Sequence, residues 1–281
     1  MGGDLIKGSV RLIRPVNSAM MGLAVVIGVF MASRGAPLWG SYILGFSVGL
    51  LLTAGTMCIN DYYDREIDVV NAPDRPIPSG QVPPRYALNL GVLLVASGVA
   101  VSALINPLSL MIAAASAALM AYYNAHGKRT GFLGNLIVSI CVSLPFLFGG
   151  AAAGRISGVL IVFSLMAFLA NTGREIAKGI ADVEGDEKGG VRTLAVKYGS
   201  RIAGRAAALF YLTAVALSPI PLALKWLSPV YGLIVSLSDI GFLYSSIRLI
   251  KGVSSMDARS VKSQSLIWMA IGLASFLIGG F

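Results

Sequence analysis

Residues 41–68 read SYILGFSVGLLLTAGTMCINDYYDREID. The first nineteen carry no charge, and the nine that follow carry five. Crossing the hydrocarbon core of a bilayer as a helix takes about 20 mostly apolar residues. Inside that core every backbone N–H and C=O must be bonded within the segment, which a helix achieves by itself. The stretch therefore predicts a membrane helix that delivers a set of acids to one edge of the bilayer.

Eight further apolar runs resemble the first half of this one. They cover residues 18–33, 86–105, 108–123, 132–153, 156–172, 206–224, 229–247 and 265–281, the fourth and ninth spans in chain order being short. The composition agrees: 56% of the 281 residues are hydrophobic, 12% are charged, and mean hydropathy is +0.78. Soluble domains carry about 25% charged residues, so a soluble globular protein, a disordered chain and a coiled coil are excluded. Cys58 and Cys141 lie in or beside apolar runs, which leaves no disulfide or zinc framework. The expected architecture is an all-α membrane protein of nine transmembrane helices, forming one integral domain over residues 1–281.

Charge gives the orientation. Lys and Arg collect in short loops on the cytoplasmic side. With nine spans, one side holds Lys7, Arg11 and Arg14 before the first, and Arg65, Arg75 and Arg85 after the second. It also holds Lys128 and Arg129 after the fourth, seven basic residues from Arg174 to Arg205 after the sixth, and Arg248, Lys251, Arg259 and Lys262 after the eighth. The other side has only Arg34, Arg155 and Lys225. This predicts a multi-pass cell-membrane protein with a cytoplasmic N-terminus and an external C-terminus. The net charge of +9 then sets topology and attracts anionic lipid, and no nucleic-acid partner is needed. The basic stretch before the first run has the form of a signal peptide, but eight more spans favour an uncleaved first helix.

Ten of the thirteen acids fall in two clusters, 61–74 and 175–187, after the second and sixth spans and on the same side. Asn60, Asp64 and Asp68 recur every four positions, so they share one face if the second span continues as a helix. Like charges at that spacing repel, and a bound cation would relieve them. Glu175, Lys178, Asp182 and Asp186 step by three, four and four, again predicting one face. Hard oxygen donors without His or Cys suit Mg2+, which takes one or two carboxylates and completes its shell with water and substrate phosphate. A single acidic loop could be a solvated helix end paired with Arg65, Arg75 or Lys178. Two on the same side weigh against that. Between them, residues 71–80 (NAPDRPIPSG) cannot continue a helix, and their prolines could hold Arg75 over an anion.

These residues resemble the UbiA superfamily of intramembrane prenyltransferases. Asn60-Asp61-x-x-Asp64-x-x-x-Asp68 is similar to its first aspartate-rich motif, and Asp182-Val-Glu-Gly-Asp186 with Gly190-Val-Arg-Thr193 to its second. Leu12-Ile-Arg-Pro-Val-Asn17, Arg75-Pro-Ile-Pro-Ser-Gly80 and Arg174-Glu-Ile-x-Lys178 resemble the branch that attaches the second isoprenoid chain of archaeal ether lipids. One departure is that a Tyr and a Lys four apart in the family stand five apart here, as Tyr123 and Lys128, with His126 between.

The resemblance implies a nine-helix bundle around a central cavity, capped by the two acidic loops. It also implies Mg2+-dependent transfer of a geranylgeranyl group from its diphosphate to the hydroxyl of geranylgeranylglyceryl phosphate. Asn60, Asp61, Asp64, Asp68, Asp182 and Asp186 are the expected metal ligands, with Asp64, Asp182 and Asp186 the expected catalytic acids. Arg65, Arg75, Lys128 and Lys178 are candidates for the diphosphate, Arg14, Arg129 or Lys178 for the phosphate of the acceptor, and Asn17 and Arg174 for substrate binding. Tyr122 and Tyr123, like Tyr62 and Tyr63, offer ring faces to an allylic cation. The alternatives are an aromatic acceptor and, in another class, a transporter of an anionic solute, which would place its binding groups near the midplane. Asp239, inside the eighth span, has Ser236, Ser238 and Tyr244 as nearby hydrogen-bond partners; His126 reads as a solvated loop residue, and Pro145 as a tolerated kink.

Overall fold

A computed structural model describes residues 2–251 and 254–280, and, apart from Gly2, Gly3, Val70 and Asn71, their side chains. Among the described residues, nine helices are long and apolar enough to cross a membrane, the number the apolar runs predict. The described residues contain no strand. They fall into two compact units, residues 1–125 with 144–156, and residues 126–143 with 157–281.

The first unit begins with α1 (Gly2–Ile13) and α2 (Pro15–Ser33), which together form the first span. Pro15 breaks them apart. It has no N–H to give and suits a helix start, and it disfavours right-handed helix at the residue before it. Arg14 accordingly adopts φ 46, ψ 69, a left-handed conformation uncommon outside glycine. α3 (Trp39–Asn71) follows, then α4 (Pro84–Ala103) and α5 (Pro107–Ala125). α6 (Phe132–Ala152) starts in the second unit and ends in the first, with Pro145 accommodated inside it.

Close approach of backbones holds the first unit together, since small residues are what let membrane helices pack tightly. A Cβ on Gly49 of α3 would lie 2.9 Å from Cα of Gly22 in α2, and one on Gly55 would lie 2.6 Å from the carbonyl of Gly91 in α4. Gly28 of α2 stands as close to Phe146 and Gly149 of α6. Outward-facing side chains such as Ile43, Leu93 and Met111 are exposed, as lipid-facing groups must be.

The second unit is built on α7 (Gly158–Ala181), with α8 (Val183–Lys188), α9 (Leu194–Tyr198), α10 (Ser200–Leu217), α11 (Ile220–Ala223), α12 (Pro229–Lys251) and α13 (Ser255–Gly279). α7 packs against α10 and α13, and its Ile176, Ala177 and Ile180 join Ala203, Ala207, Tyr211, Phe242, Leu249 and Val261 in one buried cluster. Phe163 and Phe276 stack with centroids 3.8 Å apart.

The seventh span, α10 to α11, is interrupted at Ser218-Pro219, and the break explains Asp239. Ser218 donates its hydroxyl to Asp239 at 2.6 Å, and the Tyr231 hydroxyl donates to the Ser218 carbonyl at 2.8 Å. The serines expected beside Asp239 turn elsewhere: Ser236 bonds the Leu233 carbonyl and Ser238 the Trp268 carbonyl.

Candidate active site

In the first unit, α3 runs unbroken through the acidic motif. Nothing between Ile59 and Asn71 is glycine or proline, and at about 1.5 Å per residue its 33 residues exceed the roughly 30 Å of a hydrocarbon core. The last turns therefore emerge as helix, so Asn60, Asp64 and Asp68 lie on one stripe. Asn60 donates its amide to Asp64 at 3.0 Å. Pro73 ends the helix, and the turns that follow bring Arg75 back onto it.

That return forms an ionic chain. Arg75 Nη1 lies 2.5 Å from Asp68 Oδ2 and 3.7 Å from Asp61 Oδ1, while Arg14 Nη2 donates to the same Asp61 oxygen at 2.7 Å. Asp61 and Asp68 are both buried. The turn segment is fixed from below by a cluster of Leu12, Cys58, Ile77, Val82 and Ala87, and from the side by Arg11, which donates to the Asp74 carbonyl at 2.8 Å and to Gln81 at 3.1 Å. α1 is thus a clamp on the loop that carries Arg75.

Other expected residues of this unit stand apart from the chain. Arg65 turns to its neighbours, bonding the Tyr62 carbonyl and Glu66 and lying 4.7 Å over the Tyr62 ring. Asn17 and Tyr122 are exposed and Tyr123 is half-buried.

In the second unit, the expectation of one helical face for Glu175, Lys178, Asp182 and Asp186 needs correction. α7 stops at Ala181, and Asp182 has φ −110, ψ 16. Asp186 still donates its N–H to the Asp182 carbonyl at 2.9 Å, so the spacing survives while the helix bends. Glu175 is buried and takes Arg174 at 2.8 Å and Lys178 at 3.5 Å. Asp182 and Asp186 are half-buried. Burial, and then the charge of Asp182, push the Asp186 carboxyl up to about 6, with Lys178 pulling it the other way.

Lys262 of α13 lies 3.7 Å from Asp182. The sequence gives it only as one more basic residue on the charged side; the packing of α13 on α7 is what singles it out. Lys128 and Arg129 sit in a single 3-10 turn (Gly127–Thr130), whose following Gly131 has φ 63 and meets the Arg192 carbonyl so closely that no side chain would fit. This contact fastens the turn to the Arg192-Thr193 end of the second motif, where the Thr193 hydroxyl caps α9 by accepting from the Val196 N–H at 3.3 Å.

Both donor sets are oxygen-only. Among the described residues no three His, Cys, Asp or Glu side chains converge as a metal cage. That suits Mg2+, which needs only one or two carboxylates when substrate phosphate completes its shell.

Among the described residues, nine helices long and apolar enough to cross a membrane, with acidic sets at the ends of the second and sixth, define an integral membrane protein. The chain belongs to the UbiA prenyltransferase family, which matches residues 21–272. It is similar to digeranylgeranylglyceryl phosphate synthase of Methanopyrus kandleri, at 39% identity over 97% of this chain and 98% of the other. A solved structure from work on digeranylgeranylglyceryl phosphate synthase in membranes superposes with a TM-score of 0.85 at 32% identity, covering 98% of both chains. A UbiA homologue from Archaeoglobus fulgidus, solved bound to GPP and Mg2+, shares the fold with a TM-score of 0.69 at 18% identity, over 96% of this chain and 99% of that one.

Proposed function

We propose that this chain transfers a geranylgeranyl group from geranylgeranyl diphosphate to the hydroxyl of geranylgeranylglyceryl phosphate, with Mg2+. The observation that carries the reading is the near-full-length likeness to the Methanopyrus kandleri digeranylgeranylglyceryl phosphate synthase. The two oxygen-only acidic sets support the Mg2+ requirement, as does a homologue of the same fold bound to GPP and Mg2+.

Asn60, Asp64 and Asp68 would hold Mg2+ at the first acidic set, and Asp182 and Asp186 would hold Mg2+ at the second. Bound Mg2+ supplies Lewis-acid neutralisation of the diphosphate leaving group. Arg75 and Arg65 beside the first acidic set, and Lys128, Arg174 and Lys178 in the second unit, are candidates to add fixed positive charge for diphosphate oxygens. Arg14 and Asn17 in the first unit, and Arg129 in the second, are candidates for the phosphate of the acceptor. The bond from the allylic carbon to the diphosphate oxygen breaks and an ether bond to the acceptor oxygen forms, with loss of the hydroxyl proton. Ring faces of Tyr122 and Tyr123 would favour the cationic carbon. Both substrates carry long lipid tails, which accounts for an enzyme within the bilayer. The excess of basic residues on one side supports an orientation with the N-terminus and both acidic sets cytoplasmic and the C-terminus outside.

The test offers geranylgeranyl diphosphate with a panel of glycerol phosphate and aromatic acceptors and identifies the product by mass. Prenylation of the glycerol phosphate lipid supports the reading. Prenylation of an aromatic acceptor alone overturns it.

A further inference from the structure

In the first aspartate-rich motif Asp61 and Asp68 are both buried and paired with arginine, and Asp61 is shared by two arginines. Asp61 is buried, with 4% of its side chain exposed, and its Oδ1 is shared by Arg14 at 2.7 Å and Arg75 at 3.7 Å. The two arginines come from separate segments, one at the junction of α1 and α2, the other from the turns after α3. Each keeps about a third of its side chain exposed, 29% and 35%. Asp64, by contrast, is half-buried on the stripe with Asn60 and Asp68.

We propose that Asp61 is a positioning residue: it holds Arg14 and Arg75 ready for substrate phosphate, and it is not a ligand for Mg2+. The inference deepens the reading above and rests on its assignment of Arg14 and Arg75 to substrate.

Three observations carry it. First, Asp61 Oδ1 is already shared by two guanidinium groups, so a dication bound at this carboxylate would lie close to two positive charges. Second, Arg14 is held in a left-handed backbone conformation immediately before Pro15, and such strain persists only where the surroundings over-determine it. The Asp61 contact, together with the Met57 sulfur 3.4 Å from Arg14 Nη1, directs this side chain. Third, Arg75 has a second anchor in Asp68, whereas Arg14 pairs with Asp61 alone among the described carboxylates, so loss of Asp61 should release Arg14 more than Arg75. Without the shared carboxylate the two guanidiniums would also repel.

The experiment compares Asp61→Asn with Arg14→Gln and with the double variant, each purified in detergent and checked for cooperative thermal unfolding. For Asp61→Asn the expected result is a KM for the phosphate-bearing acceptor raised about tenfold, the scale of losing a charge-assisted hydrogen bond. The KM for geranylgeranyl diphosphate should change less. Mn2+ affinity in the presence of inorganic diphosphate, read by electron paramagnetic resonance, should stay within about twofold of the parent. The double variant should be no weaker toward acceptor than Arg14→Gln alone, because the two act through one contact. An Mn2+ affinity lost in Asp61→Asn, or fully additive effects in the double variant, would overturn the proposal. If Asp61→Asn does not fold, Asp61→Glu replaces it: retained Mn2+ affinity supports the proposal and lost affinity overturns it. A failure of the underlying reading looks different, since Arg14→Gln and Arg75→Gln would then leave both KM values unchanged.

Discussion

Arg75 reaches back seven residues to place Nη1 2.5 Å from Asp68 Oδ2, closing the turn segment after α3 onto the helix that precedes it. One contact therefore ties the course of a loop to the acidic stripe on α3. Removing the arginine leaves Asp68 buried without that partner. Arg75→Ala should lower stability by about 1–3 kcal/mol, seen as a drop in Tm in detergent, and should raise the KM for geranylgeranyl diphosphate. An unchanged Tm would mean that the pair contributes nothing to the fold.

Asp64 and Asp182 are half-buried and lie at the edge of the helical cores. Replacing either by Asn keeps size and removes charge, so the protein should unfold at nearly the parental temperature. Transfer, followed with labelled geranylgeranyl diphosphate and Mg2+, should fall by at least about a hundredfold. Near-normal rates in both variants would remove these residues from the mechanism.

Asp186 gives a pH dependence. Its carboxyl sits at about 6, above the ordinary 3.8, chiefly because of burial. The metal-free folded protein thus holds this proton more tightly than the unfolded chain does. Its contribution to stability is complete below the ordinary value and fades as pH rises through about 6. Metal binding needs the deprotonated form. Mn2+ affinity titrated between about pH 5 and 7.5 should weaken below 6, by up to about tenfold per unit, and Asp186→Asn should flatten that slope.

Asp239 closes a helix break, and its substitution should be read by stability rather than by turnover. Asp239→Ala removes the 2.6 Å acceptor of the Ser218 hydroxyl but leaves it the Val215 carbonyl at 2.9 Å, and should cost about 1 kcal/mol. Transfer per folded molecule should be unchanged. A selective loss of turnover at parental Tm would instead make Asp239 part of the chemistry.

The spans were legible because lipid admits so few backbone solutions: an apolar run of sufficient length can only be a helix. Their ends were less so. The apolar runs stop at 59 and 172, whereas α3 and α7 continue to Asn71 and Ala181, because a helix does not end where hydrophobicity ends but where proline or a bend interrupts it. The ninth span begins at Ser255 in place of residue 265 for the same reason, its first turns being polar and capped by the Ser254 hydroxyl.

In the acidic motifs, spacing gave the stripe of Asn60, Asp64 and Asp68, since period and helix coincide. It could not give the bend at Asp182, which no glycine or proline announces. Nor could it reveal which acid meets which base. Asp61 reads as one more aspartate until Arg14, 47 residues away, is seen on it, and Lys262 needs α13 packed on α7 to reach Asp182. Such pairings are set by tertiary contact, and local pattern carries no record of them.

The central claim is ether-bond formation between two isoprenoid lipids at a metal-dependent acidic site. It is tested most directly by reconstituting the purified chain in liposomes with geranylgeranyl diphosphate labelled at its first carbon and geranylgeranylglyceryl phosphate, with and without Mg2+. The account predicts a labelled product bearing two geranylgeranyl chains on one glycerol phosphate, formed only when Mg2+ is present. A reconstituted, folded protein that forms no such ether with Mg2+, or forms it equally without, would contradict it.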